Sequence, residues 1–169
     1  SALANAGFEV KVKKQTLPVT TVDPQLLNCD LIGFTLFEDL FLQVQELLSQ
    51  VRNRYRYTGI IAAGGPLITL NPLPSTFHLP GINLLVRGEA ELVLPGLIDA
   101  IAGIDLSKLL ESRGFLFQIP GTIIISCFNE INRPTSFPGF HFNLDFLDKT
   151  HLETGLEINL SRGCKRGCS

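Results

Sequence analysis

Short apolar runs alternating with one long amphipathic stretch constrain the fold of this chain more than any other feature. Residues 30–37 (DLIGFTLF) and 59–63 (GIIAA) are nearly continuous apolar segments, and residues 82–86 (INLLV) form a third. Runs of that length without polar alternation predict strands buried on both faces. Between the first two, residues 38–55 carry Leu40, Phe41, Val44, Leu47, Leu48 and Val51. Steps of three and four residues place these six side chains on one stripe of a helix. A second helix is expected over residues 91–102, stopped by Gly103, and a short helical stretch over residues 72–79. Strand, helix, strand, helix in this order predicts βαβ units and an open parallel sheet with helices on both faces, a Rossmann-like or flavodoxin-like α/β fold.

The flanking segments read less regularly. Residues 1–7 (SALANAG) look like the end of a helix with Gly7 as its stop, which predicts further chain before Ser1. Residues 8–12 (FEVKV) alternate like a half-buried strand. Residues 114–128 predict a β-hairpin turning at Pro120-Gly121, and residues 132–147, rich in Pro, Phe and Asn, predict a linker that packs against something. Residues 155–160 (GLEINL) alternate as a final strand leading into a cysteine loop. The resulting division is a Rossmann-like domain over residues 1–113, a hairpin and linker over 114–154, and the beginning of a further domain over 155–169.

Composition narrows the function classes. Of 169 residues, 45% are hydrophobic and 18% charged, with a net charge of −2, so a packed core is expected and a disordered chain is not. The balanced charge supplies no electrostatic reason to expect nucleic acid or an anionic membrane surface as partner. No apolar run approaches the roughly 18 residues a membrane span needs, and no secretory signal pattern opens the sequence, so the cytoplasm is the expected compartment. Four cysteines do not make a disulfide framework in a chain of this length, which fits a reducing compartment.

In open α/β sheets, ligands bind at the carboxyl ends of the strands. Those ends here carry Thr35-Leu36-Phe37, Gly64-Gly65-Pro66 and Arg87-Gly88-Glu89. Paired glycines after a strand suit either a tight turn or a flat ligand lying against bare backbone. Thr35 suits either a strand-end hydrogen bond within the protein or one to a ligand. At the other end of the chain, Cys164 and Cys168 stand in the loop SRGCKRGCS, among Arg162, Lys165 and Arg166. Neighbouring cations lower thiol pKa values and favour metal-ligating thiolates. Two cysteines alone complete neither a cluster nor a tetrahedral zinc site, and a local disulfide or two free thiols would fit the same spacing.

SRGCKRGCS closely resembles the start of the radical S-adenosylmethionine signature, Cys-x-x-x-Cys-x-x-Cys. In the same order along the chain, DLIGFTLF, GIIAAGGP and VRGEAE resemble the cobalamin-binding domain that precedes many radical S-adenosylmethionine barrels. The resemblance spans nearly the whole chain and points to the group that includes the anaerobic oxidative cyclase of tetrapyrrole biosynthesis and the radical methyltransferases. It implies that Thr35, Leu36 and Phe37 stand at the family's Ser-x-Leu loop beside the nucleotide tail. It implies likewise that Gly64, Gly65 and Pro66 form the paired-glycine turn, and Arg87, Gly88 and Glu89 the RGE turn. Cys164 and Cys168 would be two ligands of a four-iron four-sulfur cluster that binds S-adenosylmethionine, the third falling beyond Ser169. The implied enzyme transfers a methyl group or closes a ring by radical chemistry, with a small-molecule substrate, while the piece in hand is inactive alone.

Cobalamin modules that ligate cobalt through histidine carry Asp-x-His-x-x-Gly after the first strand, and this sequence lacks it. Thr76-Phe77-His78-Leu79-Pro80-Gly81 imitates half of the motif after a different strand, and His78 is read as a helix-end residue. His141 and His151 fit no metal-ligand spacing and are read as surface residues. The alternative class is a non-catalytic flavodoxin-like or receiver-like binding module. A receiver needs an acidic cluster at its strand ends, where this chain has Thr35-Leu36-Phe37; a flavodoxin needs a Ser/Thr-rich phosphate loop, which it lacks. A third reading keeps the family but gives the domain a structural or gating role without cobalamin.

Overall fold

A computed structural model describes residues 3, 6–11, 22–70, 81–90, 93–103, 105, 107–108, 114–119 and 122–126. Five strands form one sheet in the order β1-β2-β3-β4-β5: β1 (Leu31–Thr35), β2 (Ile60–Gly64), β3 (Leu84–Val86), β4 (Phe115–Ile119) and β5 (Thr122–Ser126). The pairs β1–β2 and β2–β3 are parallel, with Thr35 opposite Gly64 and Ala63 opposite Leu85. The pairs β3–β4 and β4–β5 are antiparallel. Among the described residues, the α-helices whose bounds are set are α1 (Phe41–Ser49), α2 (Pro66–Leu70) and α3 (Leu94–Gly103). The chain is thus an α/β protein with an open sheet.

The period of two along each strand distributes the core over both faces. Ile61 and Ala63 of β2, Leu85 of β3 and Leu116 of β4 lie in one cluster with Val44, Leu47 and Leu48 of α1 and Leu67 and Ile68 of α2. The intervening residues Ala62, Leu84, Val86, Phe115 and Phe117 meet Leu97 and Ala100 of α3 on the other face. Helices therefore cover both faces, as the apolar runs predict. All six residues of the predicted stripe, Leu40, Phe41, Val44, Leu47, Leu48 and Val51, pack in or against the first cluster. The helix is not uniform, however: a 3₁₀ turn (Glu38–Leu40) leads into α1, and a π-helical turn (Gln50–Arg54) ends it.

Three expectations are corrected. The sheet is mixed rather than purely parallel, because the predicted hairpin is its fourth and fifth strands. β3 is buried along its whole length, and β4 pairs with it, Val86 opposite Phe115. Ile119 faces Thr122, the register that a two-residue turn demands. Secondly, residues 30–37 do not form a strand buried on both faces. Among the described strands β1 lies at the edge of the sheet, and Gly33 and Thr35 are exposed. Thirdly, residues 8–11 are not a strand; Phe8 and Val10 are half-buried and Lys11 pairs with Glu9 at 3.3 Å in solvent. Alternation alone does not make a strand when no ladder partner is at hand. Gly7 does act as a helix stop, at φ 91°, with the Phe8 amide donating to the Leu3 carbonyl at 3.1 Å.

The predicted helix over 72–79, and His78 with it, lies outside the described residues, as do residues 127–169 with the linker, His141, His151 and the final strand. Among the described residues no helix is long and apolar enough to cross a membrane.

Candidate functional site at the carboxyl edge of the sheet

Three parallel neighbours in sequential order put the ends of β1, β2 and β3 side by side, and the loops that leave them are bonded together. The Leu36 amide donates to the Gly64 carbonyl at 2.9 Å, and the Leu67 amide donates to the Leu36 carbonyl at 3.1 Å. The third loop joins through Thr69 of α2. Its hydroxyl accepts from the Gly88 amide at 3.0 Å, and its carbonyl accepts from the Arg87 guanidinium. The Arg87 amide in turn donates to the Gly114 carbonyl at 2.8 Å. All nine residues expected at the strand ends therefore belong to one edge.

They do not all face outward. Thr35 and Pro66 are exposed, and Phe37 is 44% exposed, while Gly64, Gly65, Gly88 and Glu89 are half-buried. Leu36 is fully buried in the core on the α1 face, and both of its backbone groups are used within the protein. Arg87 is 5% exposed and spends its guanidinium on the end of α2. These two shape the edge from behind and offer a ligand no side chain.

The glycines also divide. A Cβ on Gly64 would meet only the Val86 carbonyl, at 3.3 Å. At Gly65, with φ 97°, a Cβ would lie 2.9 Å from Thr35 Cγ2 and 3.0 Å from the Leu36 amide nitrogen and carbonyl oxygen. The bare backbone of Gly65 is thus needed by the neighbouring loop of the protein itself, as the tight-turn reading has it. Pro66 occupies the first turn of α2, where its missing N–H and fixed φ suit a helix start. That Gly-Pro step could have signalled α2; Thr69, which ties two loops together, left no sequence signal.

The opposite, amino edge holds a cavity of about 370 Å³ lined by Leu27, Cys29, Asp30, Tyr55, Arg56 and Tyr57, with Thr58 and Gly59. Two of its lining residues, Tyr57 and Gly59, belong to a hydrogen-bonded knot. Arg52, from the π-helical turn, donates to the carbonyls of Tyr57 (2.7 Å), Gly59 (2.8 Å) and Gly81 (2.7 and 3.0 Å) and to the Asn83 side-chain oxygen. Tyr57 donates from its hydroxyl to the Cys29 carbonyl at 3.1 Å, with Cys29 Sγ 4.0 Å away. The loops here carry structural bonds, and in a parallel sheet the divergence of loops that makes a ligand crevice lies at the other end.

Burial and the adjacent Cys29 thiol push the Tyr57 phenol above its ordinary value of 10.0. A group whose pKa is higher in the folded chain than in the unfolded one stabilises the fold below the unfolded value and loses that contribution as pH rises. The expected result is a urea midpoint that declines as pH is raised past about 10. Tyr57→Phe should flatten that decline; an equal decline in the variant would assign it to other groups.

Cys164 and Cys168 lie outside the described residues. Among the described residues no group of three His, Cys, Asp or Glu side chains is placed to hold a metal ion. A search of the chain against known protein families and curated proteins finds no match in either.

Proposed function

We propose that the carboxyl edge of β1–β3 is a cofactor-binding edge and that the chain is the Rossmann-like cobalamin-binding domain of a radical S-adenosylmethionine enzyme. The observation that carries this reading is the convergence of the loops 35–37, 64–66 and 87–89 on one edge of three adjacent parallel strands. A corrin presents an apolar ring edged by polar amide groups, so a surface that takes it must offer both polar and apolar contacts. The exposed Thr35 hydroxyl and the half-exposed Phe37 ring provide those chemistries, and Gly64 and Gly88 carry no side chain that would obstruct a ligand. Thr35 would hold a polar group of the tail and Phe37 would shield one side of the ligand from water. Leu36 and Arg87 would hold the loops in position.

Cobalamin, when bound, supplies a cobalt centre for methyl or radical chemistry. Cys164 and Cys168 would contribute thiolates to a four-iron four-sulfur cluster, with S-adenosylmethionine as radical source in the complete enzyme. Radical methyl transfer or oxidative cyclisation of a small molecule is the corresponding activity, in the cytoplasm.

The test is titration of the purified chain with hydroxocobalamin, followed by gel filtration and corrin absorbance. Micromolar binding is expected, weakened about five- to tenfold by Thr35→Val, the loss from one hydrogen bond. A folded chain that leaves hydroxocobalamin unbound at about a hundred times that concentration (a deficit near 3 kcal/mol) would sink the reading.

A further inference from the structure

α2 is too short to hold itself. Its five residues (Pro66–Leu70) make little more than one turn, and an isolated helix below about 12 residues is marginal in water. Leu67 and Ile68 anchor it in the core cluster on the α1 face, while its backbone ends are tied to loops distant in sequence. The Leu67 amide is one of the donors that a helix start leaves without an internal partner, and the Leu36 carbonyl of the loop after β1 accepts it at 3.1 Å. The Thr69 carbonyl is one of the acceptors that a helix end leaves open, and the Arg87 guanidinium of the loop after β3 donates to it.

Thr69 is where these ties meet. Its hydroxyl accepts from the Gly88 amide at 3.0 Å, and its own amide donates to the Gly65 carbonyl at 3.0 Å. Among the described residues no hydrogen bond joins residues 35–37 to residues 87–89 directly, and α2 is bonded to both.

We propose that α2 couples the three strand-end loops into one unit that orders and opens together, with Thr69 as its positioning residue. Local opening in folded proteins takes contiguous units of this kind. Without the ties at Thr69 the helix loses the support of its far end, and with the helix goes the donor that Leu67 gives to the loop after β1. A change at the third loop thus reaches the first, although no residue of the first has changed. Energetic coupling is reciprocal, so order imposed on the first loop is felt at Gly88 as much as the reverse. A ligand then meets the edge assembled or absent as a whole, a consequence that rests on the cofactor reading of the edge, whereas the coupling itself does not.

Native-state hydrogen exchange of the full-length chain reads the unit amide by amide. The amides of Leu36, Leu67, Thr69 and Gly88 should share one protection factor and one urea dependence. They should also exchange faster than the Ile61 and Asn83 amides near the amino ends of β2 and β3. Thr69→Val keeps the β-branched shape and removes the hydroxyl. It should speed exchange at Leu36 and Leu67, whose own acceptors are untouched, by about tenfold, the equivalent of one hydrogen bond. Thr69→Ser keeps the hydroxyl and should keep the rates. Unrelated protection among the four amides overturns the proposal, and so does exchange at Leu36 and Leu67 as slow as at Ile61, because the loops then open singly or only with the whole fold. Acceleration confined to Gly88 in Thr69→Val overturns it as well. An equal acceleration in Thr69→Ser removes the hydroxyl from the coupling, and with it the positioning role. If the chain leaves hydroxocobalamin unbound while the four amides still exchange together, the cofactor reading fails and the coupling stands.

Discussion

Arg52→Met should lower the stability of the chain by about 3–5 kcal/mol, a larger loss than from any exposed substitution. The guanidinium bonds three backbone carbonyls and one side-chain oxygen, drawn from the turn before β2 and the turn before β3. The network continues. Asn83 accepts from the Ile61 amide at 2.9 Å and donates to the Gln118 carbonyl at 3.2 Å, and the Gln118 side chain donates to the Ile82 carbonyl at 2.7 Å. One side chain thus fixes the entry of β2 and β3 and, through Asn83, the end of β4. Methionine keeps an unbranched apolar stem but removes every bond the guanidinium makes. Asn83 Oδ1 keeps the Ile61 amide, while the carbonyls of Tyr57, Gly59 and Gly81 lose this donor, and partly buried acceptors left unmade are more destabilising than the bonds were worth. At 2–4 °C per kcal/mol for a chain of this size, a fall of about 10 °C in Tm is expected by calorimetry. Arg52→Lys keeps the charge but not the planar fork, so it should recover less than half of the loss. An Arg52→Met protein that melts within about 2 °C of the unsubstituted chain would show that the turns hold without the knot.

The residue beside Arg52 shows how far the sequence could be read. Val51 is the last member of the apolar stripe, and its burial follows from a period of 3.6 applied to residues 38–55. Arg52 looks, by the same period, like an ordinary solvent-facing residue. Its role depends on the helix widening into a π turn, where the Tyr55 amide donates to the Gln50 carbonyl, and on two turns distant in sequence. Neither has a local signal. The same division separates β2 from β1: both are continuous apolar runs, but only β2 has a neighbour on each side. The sequence of a strand reports how apolar it is, not which strand will lie beside it, and so the hairpin was legible as a hairpin while its place beside β3 was not. At the candidate site, the positions of the three loops follow from where the strands end. The direction of each side chain does not, because alternation stops at Thr35 and nothing local turns Leu36 inward rather than outward.

Gly65 allows the stability of the edge to be separated from its ligand chemistry. Gly65→Ala should destabilise by about 2–4 kcal/mol, combining a positive φ that costs a residue with a Cβ about 1–3 kcal/mol with contact against backbone atoms that cannot turn aside. The Leu36 amide and carbonyl are already bonded to Gly64 and Leu67, so relief requires the β1 loop to part from the β2 loop. Gly33→Ala is the control: Gly33 lies on the exposed edge strand with open space around its Cα, and its replacement should change stability by no more than about 0.5 kcal/mol. Urea unfolding of the two variants measures the difference, and equal midpoints would mean that the loops are not held in contact as described. Thr35→Val is the complementary change, since it alters an exposed hydroxyl and leaves the loop contact in place. A ligand that depends on the edge should be lost with Gly65→Ala together with stability, and lost with Thr35→Val without it. If Gly65→Ala binds hydroxocobalamin as the unsubstituted chain does while its stability falls, the cofactor is held by some other surface and the convergence of the three loops serves the fold alone.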